Sequence, residues 1–228
     1  MSRRDTTELV RIGILTLPLA GILALVGVVS SYNEPEPRVD PRAAAQAAVS
    51  TGYFMSQFAD ILSLAVLIFG VMALTAYLAN TRVRGLVLGA MVLSIFGIAL
   101  ILTALGLRAY ALPAIGQAYL NGQQDAITMA DAFLGSPVIY LFTPVIVLYS
   151  AGFLLFGIAI WRSGVLRKGA AAVSLALHAP LLSSFIRPQT SLASILGALL
   201  FVLGGVLISL DVFRRSSTAK AEATPPPR

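Results

Sequence analysis

The 228-residue chain has no cysteine and one histidine, and its charged residues amount to only 11%. Without cysteine there is no disulfide, no thiol nucleophile, no iron–sulfur cluster and no cysteine-based zinc site. A single histidine removes a bis-histidine haem and every metal motif built on a histidine pair. HExxH, GxSxG and glycine-rich phosphate-loop motifs are all missing, so no catalytic residue and no cofactor is expected. Soluble domains carry about 25% charged residues. The shortage of charge therefore excludes a soluble enzyme.

What the chain does have is apolar surface: 57% of its residues are hydrophobic, and 19 more are glycine. Crossing the hydrocarbon core takes about 20 apolar residues in a helix. Six runs come near that length: 12–29, 56–78, 86–107, 138–161, 170–186 and 192–213. The fifth is the shortest. The first follows Arg3 and Arg4 but is too long for a signal-peptide core, and no convincing cleavage site follows it. It reads as a retained span. The expectation is an all-α, polytopic membrane bundle of six transmembrane helices, forming one domain over 1–215 with a disordered tail over 216–228.

The formal charge of +6 would suggest nucleic acid in a soluble protein, but here it reports orientation. Arg3, Arg4, Arg11, Arg82, Arg84, Arg162, Arg167, Lys168, Arg214, Arg215, Lys220 and Arg228 fall on one side of the six-span arrangement. Only Arg38, Arg42, Arg108 and Arg187 fall on the other. Basic residues flanking spans stay in the cytoplasm. Both termini are thus expected there, in a multi-pass plasma-membrane protein that binds no nucleic acid.

The connections carry local signals. Asp40 before Pro41 pairs an N-cap residue with a proline at the first helical position, so a helix should start there. From Arg42 to Met55 only Gly52 is a breaker, so the second helix could begin well outside the membrane. The segment 123–134, ahead of Gly135-Ser-Pro137, suggests a short surface helix. Residues 62–74 and 149–161 match at Ser63/Ser150, Leu67/Leu154, Phe69/Phe156 and Gly70/Gly157. Each leads into a short basic turn ending in glycine. A duplicated hairpin, spans 2–3 and 4–5, would account for this, and so would coincidence in apolar sequence.

The stretch Phe156-Gly-Ile-Ala-Ile-Trp-Arg-Ser-Gly-Val-Leu166, with its following basic pair and small-residue helix, resembles a segment of certain bacterial six-span membrane proteins. Those proteins, notably from actinobacteria and their relatives, form an uncharacterised family of unknown function. The resemblance spans about thirty residues. It implies a bacterial inner membrane and brings no catalytic residues with it.

Ionisable residues at bilayer depth are costly and mark candidate sites. His178, in the middle of span five just before Pro180, is the foremost. It could relay protons or contact a ligand, or it could be a neutral imidazole bonded to a neighbouring helix. Asp60 and Gln57 share a face near the outer end of span two, and Arg187 at the outer end of span five could pair with Asp60. Asp211 lies beside Arg214 and Arg215, where it balances charge. Pro18 and Pro144 interrupt long helices, with Thr143, Tyr149 and Ser150 near the second. Gly85-x3-Gly89, Gly97, Gly197 and Gly204-Gly205 suggest faces where helices approach closely or dimerise.

Two functions follow from so little intramembrane chemistry. The first is a non-enzymatic bundle serving as scaffold or subunit of a membrane complex, in contact with lipid and with a membrane-protein partner or a second copy. The alternative is a transporter or binder of a small or lipophilic solute, with its site between the two hairpins near His178, Asp60 and Tyr149. An intramembrane enzyme of unfamiliar type ranks last. A closed, apolar core around His178 would favour the first, and a water-accessible pocket the second.

Overall fold

The structure, a computed structural model, describes residues 3–31, 40–126, 128–129, 132, 137–166, 169–182 and 192–222. Seven helices account for nearly all of them: α1 (Arg3–Ser30), α2 (Pro41–Ala48), α3 (Thr51–Leu78), α4 (Arg84–Leu120), α5 (Pro137–Ser163), α6 (Ala170–Leu182) and α7 (Leu192–Glu222). Among the described residues there is no strand. Five helices are long and apolar enough to cross a membrane: α1, α3, α4, α5 and α7. The expectation of membrane-crossing helices holds for these five runs.

Their outer faces explain the composition. Along α1, Ile12, Leu15, Leu19, Ile22, Val26 and Val29 are exposed, and their steps of three and four residues trace one helical face. Ile14, Leu17, Ala20, Ala24 and Val28, on the opposite face, are buried. Phe54, Phe58, Phe69 and Phe96 also point outward on α3 and α4. Water would not tolerate so much contiguous apolar surface on a monomer. Lipid does.

Six helices form a closed ring. Each of α3, α4, α5, α6 and α7 packs on its predecessor among the long elements, and α7 returns to α1. Contact pairs fix the directions. Gly13 meets Ala73 while Gly27 meets Asp60, so α1 and α3 are antiparallel. Gly97 meets Tyr149 and Gly152 meets Ser94, which makes α4 and α5 antiparallel. Gly21 meets Val202 and Gly205 meets Pro18, giving the same relation between α1 and α7. The Arg11 guanidinium lies 4.6 Å from the centre of the Phe213 ring, so α1 begins where α7 nears its end. Ile14, Leu17, Leu67, Leu74, Ile98, Phe153, Phe156, Leu175 and Phe201 join all six helices in one continuous core.

Pro18 has a specific use in this ring. A proline frees the carbonyl four residues earlier from the helix ladder, here that of Ile14. Ser209 Oγ of α7 lies 3.4 Å from Ile14 O and 2.8 Å from Gly205 O, its hydroxyl shared between them. A Cβ on Gly205 would come within 2.6 Å of Pro18 N, so only glycine lets the helices meet there. The proline docks a neighbour.

Several boundaries differ from expectation. The fifth expected span, 170–186, is described as a helix only to Leu182, and Arg187 lies outside the described residues. Thirteen residues rise about 20 Å, short of the ~30 Å hydrocarbon core. The third span was expected to end at Leu107, yet α4 runs on to Leu120 through Pro113. It does so because α2 lies along it, with Gly116 against the Ala45 carbonyl, and because Tyr53 Oη donates to Arg108 O at 3.3 Å. The second helix is broken at Val49–Ser50 rather than at Gly52. Ser50 Oγ caps α3 by accepting from Tyr53 N, as Asp40 caps α2 by accepting from Ala43 N. Helix α7 extends to Glu222, into the tail expected to be disordered. Of the expected surface helix 123–134, residues 126, 128, 129 and 132 are helical and most of the others lie outside the described residues.

Two of the four matched pairs of the apparent repeat differ in burial. Leu67 is 0% exposed and Leu154 50%, whereas Phe69 is 63% exposed and Phe156 0%. Gly70 faces Leu17 of α1, while Gly157 faces Ala172 and Ala176 of α6. At the leucine and phenylalanine pairs the two hairpins turn different faces to the core.

Candidate functional site

Helix α6 turns Ala171, Leu175, His178 and Ala179 inward at steps of three and four residues. His178 is completely buried. Its Nδ1 lies 2.6 Å from the Leu175 carbonyl, and its Nε2 lies 3.3 Å from Tyr149 Oη of α5. A carbonyl can only accept, so Nδ1 carries the proton and Nε2 accepts from the tyrosine hydroxyl. Both ring nitrogens are used.

Aromatic rings close the remaining sides. Phe201 of α7 stacks on the imidazole at 4.4 Å between centroids with planes 14° apart. Phe153 of α5 meets it edge-on at 4.5 Å, and the Tyr149 ring stands at 6.0 Å and 85°. Tyr149, Phe153 and Phe201 are themselves buried. The cluster joins α5, α6 and α7 at one level, with both imidazole nitrogens bonded inside it. It can hold helices together.

A second polar group lines α3. Ser56, Gln57, Asp60 and Ser63 are buried, spaced along the helix by one, three and three residues. Ser56 Oγ donates to Gly27 O at 3.1 Å and Ser63 Oγ to Ala20 O at 2.7 Å, both on α1. The Asp60 carboxylate occupies the space that a Cβ on Gly27 would need. Among the described residues, Gln57 Oε1 is buried without a hydrogen-bond partner. Interhelical hydroxyl bonds in membranes contribute about 0.6 kcal/mol and at most about 1.7. At 2.7 Å, the Ser63 bond belongs above that average. Ser63→Ala should therefore lower unfolding stability in detergent by about 1 kcal/mol, read from the midpoint of a denaturant titration.

The structure brings together two of the residues singled out in the sequence, His178 and Tyr149. Asp60 and Gln57 lie on α3, with Asp60 against α1, whereas His178 takes its partners from α5, α6 and α7. Arg187, and with it the expected pair to Asp60, falls outside the described residues. Sequence reasoning missed Phe153 and Phe201. Phe153 could have been found one turn after Tyr149, on the same helical face. Phe201 is a phenylalanine in an apolar run, with no local signal to set it apart. Comparisons with protein-family models, curated proteins and solved structures gave no match. The geometry alone carries the functional argument.

Proposed function

We propose that the chain is a non-enzymatic six-span bundle of a bacterial inner membrane, serving as scaffold or subunit of a membrane complex. The carrying observation is the sealed surrounding of His178: both nitrogens bonded within the chain, and aromatic rings on the remaining sides. A solute site or a proton path needs an accessible polar atom at this place. Among the described residues both imidazole nitrogens are already bonded, which supports the scaffold over the transporter. Six spans and two cytoplasmic ends are supported by the place of α6 in the ring and by the antiparallel alternation. The exposed cations Arg82, Arg84, Arg162, Arg214 and Arg215 gather at the end where α1 begins, as retention in the cytoplasm requires.

A partner helix has room on α4, the least buried of the five long helices. A Cβ on Gly85 or Gly89 would meet nothing within 4 Å, so the small-xxx-small face stays open to another chain or a second copy. Gentle extraction from the native membrane should yield an assembly larger than the 24.0 kDa chain, with fixed stoichiometry by native mass spectrometry. Gly89→Leu should release the monomer from it without unfolding. A monomer from native membrane, together with solute-dependent flux in proteoliposomes, would discard this function in favour of transport.

A further inference from the structure

A groove of about 210 Å³ runs between α5 and α6 on the outer surface of the bundle. Gly157, Ala172 and Ala176 are small and form its floor; a Cβ on Gly157 would come within 2.8 Å of Ala172 O. Leu154 and Val173, both about half exposed, form its walls. The groove spans Leu154 to Trp161, which is about 10 Å along a helix. Its lining is almost wholly apolar until the end of α5, where the exposed Trp161 and Arg162 close it.

That end carries two positive charges. Arg82, from the turn between α3 and α4, donates to the Arg162 carbonyl through Nη2 at 3.0 Å and Nε at 3.3 Å. The bond anchors its guanidinium to the backbone of Arg162. Both arginines are exposed, and among the described residues neither forms an ion pair. An apolar slot ending in an interfacial tryptophan and two guanidinium groups matches a molecule with a hydrocarbon chain and an anionic head. Neither a soluble anion nor an uncharged lipid uses both halves.

We propose that this groove is a binding site for an anionic phospholipid, with one acyl chain in the slot and the phosphate on Arg162 and Arg82. The site is independent of any scaffold or transport role. Trp161 is the only tryptophan in the chain, so its fluorescence reports on the groove directly.

The test uses the full-length protein in phosphatidylcholine vesicles containing equal mole fractions of either brominated phosphatidylglycerol or brominated phosphatidylcholine. Each guanidinium near the surface contributes about fivefold to the relative affinity for an anionic lipid. Phosphatidylglycerol should therefore quench Trp161 with an apparent affinity more than tenfold above phosphatidylcholine. The Arg82→Gln/Arg162→Gln double variant should bring that ratio near one, and Arg162→Lys should keep most of it. Val173→Phe, which fills the slot from its lipid-facing wall, should weaken quenching while the thermal midpoint stays that of the wild type. Equal quenching by the two lipids would overturn the proposal. So would a preference unchanged in the double variant, or displacement of the brominated lipid by millimolar inorganic phosphate.

Discussion

Gly97→Leu is expected to destabilise the bundle by about 3 kcal/mol or more, beyond the usual 1–3 kcal/mol for overpacking. A Cβ at position 97 would lie 2.8 Å from Tyr149 Cα and 2.9 Å from Tyr149 N. Backbone atoms cannot swing aside as a side chain can, so α4 and α5 must separate. The reciprocal contact offers no relief, because Gly152 already sits against the backbone of Ser94 with its N only 2.6 Å from where a Cβ would be. Separation also moves Tyr149, one of the residues that hold His178. Gly89→Leu, two turns earlier on α4, adds a side chain where nothing lies within 4 Å, and should change stability by less than about 0.5 kcal/mol. Denaturant midpoints in mixed micelles for the two variants provide the comparison. Equal midpoints would mean that the α4–α5 crossing is not tight.

The same pair shows what was legible in the sequence. Gly85, Gly89 and Gly97 look alike on a pattern of small residues, yet only Gly97 meets another backbone. Spacing identifies a face that permits close approach, while the neighbour's position decides whether it is used. Long apolar runs are more dependable, because the hydrocarbon core imposes them on the helix as a whole. Five appear where they were expected. Helix ends outside that core answer to different forces. Hydropathy stops at Leu107, but α4 continues to Leu120 because α2 and Tyr53 hold it from the side. The start at Asp40-Pro41 was readable because a cap is local chemistry, completed three residues later at Ala43 N.

The site divides in the same way. His178 stood out because ionisable residues are rare at bilayer depth, and Tyr149 because it follows Pro144 closely. Their meeting was not readable, since it depends on α5 and α6 packing antiparallel. Packing follows the apparent repeat only in part: Gly70 and Gly157 are both buried, but burial reverses within Leu67/Leu154 and Phe69/Phe156. A shared letter in a membrane helix says little about which way it points. Pro18 was read as interrupting a long helix, and its freed carbonyl receives Ser209 from α7.

His178→Ala should lower stability by about 3–4 kcal/mol, the sum of two separable losses. The first is a cavity bordered by Phe153, Phe201 and Tyr149, rings that cannot collapse onto an alanine without shifting three helices. The second is the Tyr149 hydroxyl, which loses its acceptor while staying buried; an orphaned buried polar group costs about 1–3 kcal/mol. Tyr149→Phe isolates the hydrogen bond. It keeps the ring packing and, at 3.3 Å, should cost about 1 kcal/mol. Once His178 is alanine, Tyr149→Phe should become neutral or stabilising, because it removes the orphaned hydroxyl. The double variant should then be more stable than the sum of the single losses by roughly 0.5–3 kcal/mol, the coupling found between residues in contact. Denaturant titrations of the four proteins close this cycle. A proton relay would behave otherwise: His178→Ala would keep the wild-type midpoint and change only proton flux in vesicles. That outcome would remove the structural role of His178, and the closed core as an argument for a scaffold would go with it.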